Sequence, residues 1–401
     1  MTHSTVSASD FGFFGLDVHK KTISIALATG KGEPRFLCTI PNASDEIAVF
    51  FNTHLTRFEQ LFAVYEAGGC GYSIARQLNR MGITCIVAAP SKISKAPALK
   101  VKNDKKDALM LAKLLRNHVL LDQKELHSVY VPDPSDEAIR EKTRQRSFLK
   151  KQVISIQNRI MGMIQYYGIP RYTLTKMAWT ITYRKWLESI NFGNPGVQAV
   201  FLQELNHLHY LEDLVAQCDA ELAELCRTWN NKTLIVKAFQ AFRGVGLLTA
   251  ANLAAEIGNF SRFDNPSQLM GYIGLTPTEF SSGQRVTRGG ITKAGNTRIR
   301  RLLIEAVASA RHTPKSKRTF FLTHPKGLPM EVKEHAYKAQ KRLHKRYWHL
   351  LGNGKNPNVA KVALARELLG FIWAVAVSLE QTTADTGPNT TPPDHPNARA
   401  A

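Results

Sequence analysis

Four acidic side chains and one serine are the residues whose types and spacing could do chemistry. Asp17 stands in Gly15-Leu16-Asp17-Val18-His19-Lys20, inside a short apolar run. Glu66 closes Leu61-Phe62-Ala63-Val64-Tyr65-Glu66, just ahead of Ala67-Gly68-Gly69. Asp104 and Asp107 fall three apart in Lys102-Asn103-Asp104-Lys105-Lys106-Asp107-Ala108. On a helix that spacing puts both on one face. Carboxylates are hard oxygen ligands of the kind that hold Mg2+, and two such ions can clamp the attacking and leaving oxygens of a phosphodiester exchange. Converging acids repel one another unless a cation lies among them, which favours a metal site over a structural cluster. Taken singly, each acid has an ordinary reading: Asp17 closes a turn, or Asp104 caps the helix that follows. Lys102, Lys105 and Lys106 are placed to approach a nucleic-acid backbone beside the cluster.

The serine lies far along the chain, in Glu279-Phe280-Ser281-Ser282-Gly283. Arg285, Arg288, Lys293, Arg298, Arg300 and Arg301 follow it. A serine hydroxyl among cations could attack phosphorus and keep the energy of the broken strand in a phosphoserine bond. The arginines would steady the charge on the transition state. Ser-Gly is also a common loop dipeptide, so spacing alone favours a solvated turn, and Ser281 is an adjacent rival.

These groups need elements to position them. Phe13–Val18, Ile23–Leu27, Arg35–Ile40, Leu61–Glu66 and Thr84–Ala89 read as strands, with residues 12–66 taken as strands throughout. Tyr72–Met81 and Lys105–Asn117 read as helices, making an α/β layer domain over residues 1–130. Residues 131–236 carry apolar positions at steps of four and three: Leu149, Val153, Ile156, Ile160, Met163 and Tyr167, then Phe201, Leu205, Leu208, Leu211, Val215, Cys218, Leu222 and Leu225. That is the seam of a helical hairpin, either a coiled coil or two core helices of a bundle. Residues 237–380 read as mostly helical. In them Phe242-Arg243-Gly244-Val245-Gly246-Leu247 reads as a helix-hairpin-helix turn whose backbone N–H groups at Gly244 and Gly246 could meet a phosphate, or as a plain packing turn. Asn296 is placed to cap a helix with the apolar face Ile299, Leu302, Leu303, Ala306 and Ala310. The tail, 381–401, is rich in Thr, Pro, Asn and Asp and is expected to be disordered.

Composition narrows the partners. Lys+Arg 53 against Asp+Glu 32 gives a net charge of +21, which suits a polyanion. The surplus is uneven: residues 281–350 hold 17 Lys/Arg and only three acids. Five cysteines without a CxxC pair argue against a disulfide framework or a zinc site. The longest apolar stretch, Leu368 to Leu379, is interrupted by Gly370 and Ser378 and falls short of the about 20 residues a bilayer needs. The polar opening, MTHSTVSASD, has no signal-peptide pattern, so a cytoplasmic protein without a membrane partner is expected. The Gly-x-Asp opening also occurs in actin-like sugar kinases. Here it lacks their phosphate-binding glycine loops, and the charge is wrong for them.

Strand Asp, strand-end Glu and helical Asp-x-x-Asp, in that order, resemble the RuvC/RNase H-like nuclease fold. More narrowly, Gly-Leu-Asp-Val-His-Lys, Glu-Ala-Gly-Gly and Lys-Asn-Asp-Lys-Lys-Asp-Ala look like the DEDD motifs of the insertion-sequence 110 family of transposases. Ala67-Gly68-Gly69 and Asn103 depart from the family's usual residues, outside the ligands. The run from Gly274-Leu275-Thr276-Pro277 through Ser282-Gly283 to Lys293-Ala294-Gly295-Asn296 and Ile299-Arg300-Arg301 is similar to the family's C-terminal domain. The resemblance implies that Asp17, Glu66, Asp104 and Asp107 bind Mg2+ and that Ser282 is the nucleophile. It also implies a composite site between protomers, dimers assembling into a tetramer on donor and target double-stranded DNA, and guidance by a structured bridge RNA. Two rivals stay open: a metal-dependent junction nuclease in which water attacks, and a non-catalytic nucleic-acid-binding protein.

Overall fold

A computed structural model describes residues 11–90, 103–123, 126–170, 172, 179–229, 232–282, 285–323 and 327–386. The chain divides into two compact units, Met1–Val131 and Pro132–Ala401.

The first unit is a five-stranded mixed sheet with helices on both faces. Its strands are β1 (Phe11–Val18), β2 (Thr22–Ala28), β3 (Arg35–Pro41), β4 (Gln60–Glu66) and β5 (Thr84–Ala88), in the order β3-β2-β1-β4-β5. β1, β2 and β3 form an antiparallel meander, while β4 and β5 run parallel to β1. The expectation of strands throughout 12–66 is corrected by helix α1 (Ser44–Leu55). Asp45 and Glu46 favour its first turn, and Ile47 and Phe51, four apart, bury one face. Helix α2 (Ser73–Arg80) joins β4 to β5, and α3 (Asp104–Leu121) crosses the opposite face of the sheet. Phe14, Leu16, Tyr65 and Phe51 pack on the α1–α2 face. Phe13, Phe62, Val64, Leu111 and Leu115 pack on the α3 face. This alternation along β1 is the period-two signature of a strand covered on both sides.

The second unit is largely helical. α4 (Pro134–Tyr166) and α6 (Pro195–Arg227) are each 33 residues long, about 50 Å at 1.5 Å per residue. They pack antiparallel, as the ion pairs Arg146–Asp219 at 2.8 Å and Arg159–Glu204 at 2.7 Å require. Leu149, Val153 and Ile160 meet Leu205, Leu208 and Leu211 in a core of their own, joined by Tyr183 and Leu187 of α5 (Ile181–Ser189). Asn194 caps α6, with Pro195 in its first turn.

The remainder forms one larger core: α7 (Thr233–Phe239), α8 (Leu247–Ile257), α9 (Pro266–Ile273), α10 (Thr297–Ala306), α11 (Lys317–Thr323), α12 (Met330–Gly352) and α13 (Pro357–Thr386). Between α9 and α10 a two-stranded antiparallel hairpin, β6 (Pro277–Ser282) and β7 (Arg285–Ile291), interrupts the helices expected there. Thr278 and Phe280 in β6, and Val286, Thr287 and Ile291 in β7, favour extended backbone. Over Pro357–Thr382, α13 is long and apolar enough to cross a membrane, longer than the 368–379 stretch suggested. Leu364, Ala365, Leu368, Leu369 and Ile372 are nonetheless buried in the unit, the place of a core helix. The helix also runs past Gln381 to Thr386, so that part of the expected disordered tail is ordered; 387–401 lie outside the described residues.

Candidate metal centre and serine hairpin

Parallel pairing sets Leu16 beside Tyr65, so one step further on Asp17, one residue before the end of β1, comes level with Glu66, the last residue of β4. Gly15 faces α3 so closely that a Cβ there would lie 2.1 Å from the Ala108 carbonyl oxygen. Asp17, two residues on, shares that face, and Glu66 shares it with Val64 and Phe62. α3 begins at the same end of the sheet. Its cap is Asn103, whose Oδ1 accepts from the Lys105 N–H, and not Asp104. The Asp104 carboxylate is thereby left free of capping and stands in the first turn with Asp107. The helix N-terminus favours both negative charges.

Asp17, His19 and Asp104 bring ligand atoms within 4.8 Å of one another. His19 Nε2 lies 3.2 Å from Asp17 Oδ2 and 3.4 Å from Asp104 Oδ1. The imidazole meets Asp17 in ion-pair range but outside hydrogen-bond alignment, so the buried Asp17 Oδ2 has no hydrogen-bond partner. Burial pushes the Asp17 carboxyl above its usual range; His19 pulls it down, and Asp104 and Asp107 push it up again. A buried carboxylate oxygen that makes no hydrogen bond and shares an imidazole with a second acid fits a hard divalent cation. Glu66 and Asp107 stand outside the tight group, on the same face. Sequence reasoning did not single out His19 as a site residue. Its signal was the Asp-x-His spacing, which puts two side chains on one face of a strand. Lys105 and Lys106 are exposed, Lys105 Nζ lying 5.0 Å from the centre of the Phe36 ring. Lys102 lies outside the described residues.

In the second unit, Ser282 ends β6 and pairs with Arg285 of β7, so its place is a hairpin tip rather than a loop between helices. The side chains of Ser281, Ser282, Arg285 and Arg288 lie outside the described residues. Past the hairpin, Lys293 and Arg298 are exposed, and exposed Arg301 sits 3.8 Å from Glu305. Arg300 corrects the expectation of a phosphate contact. It is 8% exposed and donates to the carbonyls of Ile273 and Ala294 and to Thr297 Oγ1. These bonds join the start of α10 to the end of α9.

Asn296 caps α10 as expected, accepting from Arg298 and Ile299. Its Nδ2 donates to Glu256, which is 6% exposed and also takes two hydrogen bonds from Arg144 of α4. The start of α10 is thus tied to α8 and α4 through one buried carboxylate. A lone acid in the apolar run Leu247–Ile257 was its only sequence signal. Gly244 has φ +87°, and a Cβ there would lie 2.1 Å from the Ala306 carbonyl oxygen. Close packing therefore accounts for this glycine, whereas Gly246 begins α8 in open space.

A sheet of this order, with acids at adjacent strand ends and on the helix across them, is consistent with the RNase H-like DEDD class of polynucleotide-processing domains. A family model for DEDD transposases of the IS110 type matches residues 14–169, which hold all four acids. A second, described as the transposase IS116/IS110/IS902 family, matches residues 236–321, which hold the hairpin. The relative y4qE of Sinorhizobium fredii is 36% identical across 93% of this chain and 90% of its own length. The transposase for insertion sequence element IS1533 of Leptospira borgpetersenii is 29% identical across 84% of this chain and 96% of its own. The transposase for insertion sequence element IS1111A of Coxiella burnetii is 25% identical across 79% and 78%. The chain belongs to the IS110 family of transposases.

Proposed function

We propose that this chain is a site-specific DNA recombinase in which Asp17, Glu66, Asp104 and Asp107 hold Mg2+ and Ser282 is the nucleophile. The observation that carries the reading is the cluster at the β1 end of the sheet, where Asp17 and Asp104 share the His19 imidazole and the buried Asp17 Oδ2 makes no hydrogen bond. In this reading residues 1–130 are a RuvC-like domain, 131–236 a coiled-coil hairpin and 237–380 a transposase domain with a helix-hairpin-helix element. The protein works in the cytoplasm, on the nucleoid. Dimers pair into a tetramer across donor and target duplexes, with the acids of one protomer and the serine of another sharing a phosphate. A structured bridge RNA selects the two DNA sites.

The Ser282 hydroxyl oxygen forms a bond to phosphorus, and the bond from phosphorus to the leaving strand oxygen breaks. The serine proton leaves with that oxygen, which departs as a hydroxyl. The ester keeps the energy of the broken bond, so no ATP is needed. A hydroxyl of another strand then attacks the phosphoserine, restores a phosphodiester and returns a proton to Ser282. Bound Mg2+ supplies Lewis-acid stabilisation of charge on the phosphoryl oxygens. Asp17 and Asp104 orient that charge, His19 steadies both carboxylates, and Lys293, Arg298 and Arg301 hold the phosphate backbone.

The test is a denaturation-resistant protein–DNA adduct on a cognate junction. Wild type and Ser281→Ala form it in Mg2+, while Ser282→Ala forms none and exchanges no strands. Normal exchange by Ser282→Ala would remove the serine from the mechanism and leave a metal-dependent nuclease. RNA sequencing of the purified complex should return one discrete species; random cellular RNA would count against guidance.

A further inference from the structure

The strongest charge feature lies outside the acids and the serine hairpin. An open groove of about 970 Å³ runs between α12 and the segment Pro314–Ser316. Lys338, Lys341, Arg342, Lys345 and Arg346 line it from α12, and Lys315 faces them. The α12 positions recur at three and four residues, so they form one stripe, while Val332, Ala336, Ala339, Leu343 and Tyr347 bury the other side of the helix. The wall is tied in place: Gln340 Nε2 donates to the Lys315 carbonyl at 3.4 Å, and His344 Nδ1 meets the Ala310 carbonyl at 2.8 Å.

Charge in the groove is almost unopposed. Glu367 takes Arg342 at 2.9 Å and Arg346 at 3.4 Å. Lys338, Lys341 and Lys345 are exposed and have no carboxylate within ion-pair range among the described residues. Like charges held this close along one helix face destabilise it, unless a polyanion lies across them. Two aromatic rings accompany them. Tyr337 lines the groove with Lys341 Nζ 5.7 Å from its ring centre. Trp348, 52% exposed, stands one turn beyond His344 in edge contact with it.

We infer that this groove binds an unpaired DNA strand, its lysines meeting successive phosphates and Trp348 stacking on a base. A duplex keeps its base faces stacked inside and offers a tryptophan nothing, whereas a single strand presents both phosphates and base faces. DNA is chosen over RNA because the proposed reaction itself generates unpaired DNA strands; Ser316, Tyr337 and His349 of the lining are also able to meet a 2′-hydroxyl, so preferential RNA binding is an outcome of the test. The inference deepens the recombinase reading, since unpaired strands arise once DNA is cut, but it concerns binding and not cleavage.

The test is fluorescence anisotropy of full-length protein with one mixed-sequence oligonucleotide as single-stranded DNA, as duplex and as RNA, across a salt series. The triple variant Lys338→Gln/Lys341→Gln/Lys345→Gln should bind the single strand at least ten-fold more weakly. Its log–log salt slope should be smaller by about two, from about 0.7 per phosphate contact. Trp348→Ala should weaken binding about five-fold or more. Binding to duplex should change little in either variant. All substituted positions are exposed, so thermal unfolding should match wild type and report a folded protein. Unchanged single-strand affinity and slope in the triple variant would overturn the inference, as would a larger loss for RNA or for duplex. Because the Ser282 adduct is read separately, a recombinase with normal adduct formation and no groove effect loses only this inference.

Discussion

Asp17 and Arg300 show charged side chains serving opposite ends, one a site and the other the fold. Burial raises the Asp17 carboxyl's pKa in the folded protein. The stabilising margin this gives is full below the unfolded-chain value and is lost as pH rises through the folded one, so at neutral pH the charged Asp17 costs stability. Asp17→Asn should therefore melt at or above wild type in the absence of divalent cations. With Mg2+ at a hundred times its Kd, wild type should gain about 2.7 kcal/mol and the variant nothing, read by calorimetry. An equal gain in the variant would take Asp17 out of the site. Arg300 is the reverse case, a cation serving the fold. Arg300→Ala leaves buried carbonyls without donors and should cost about 3 kcal/mol in a denaturant titration. Arg298→Ala, at an exposed position, should stay within about 0.5 kcal/mol and lower DNA affinity instead.

At the scale of elements, the approach of α3 to β1 sets the acidic site. Gly15 permits it: a side chain there would meet the Ala108 carbonyl oxygen at 2.1 Å and the Ala112 nitrogen at 2.3 Å. Gly15→Ala should push α3 off the sheet, cost about 1–3 kcal/mol by overpacking and abolish the Mg2+-dependent rise in melting temperature. Gly244→Ala should also destabilise, by more than about 1 kcal/mol, because of its positive φ and its contact with Ala306. Gly246→Ala has open space around it and should be close to neutral. Weaker DNA binding by Gly246→Ala at unchanged stability would mark Gly246 as a phosphate contact.

For the whole molecule the controlling quantity is the net charge of +21. Fourteen of these charges come from residues 281–350, over the hairpin and the helices α10 to α12. DNA affinity should fall by about 10³-fold or more between 50 and 200 mM salt, the behaviour of a protein making roughly six to ten phosphate contacts. A titration showing less than a ten-fold loss would mean that most of these cations do not meet phosphate.

The strands β1 to β5, the helix α3 and the antiparallel α4–α6 pair were legible in the sequence because each is a local pattern repeated over several residues. Alternation of apolar positions, or their recurrence at three and four, survives without knowledge of neighbours. The order of acids was legible for the same reason. Only the tertiary structure decided which partner each polar group takes. Asn103 rather than Asp104 caps α3, His19 stands between two acids, and Arg300 turns inward while Arg298 faces water. Those outcomes depend on groups distant in sequence competing for the same atom. The reading also failed at α1 and at the β6–β7 hairpin, where neither alternation nor a three-four recurrence of apolar residues runs far enough to tell helix from strand.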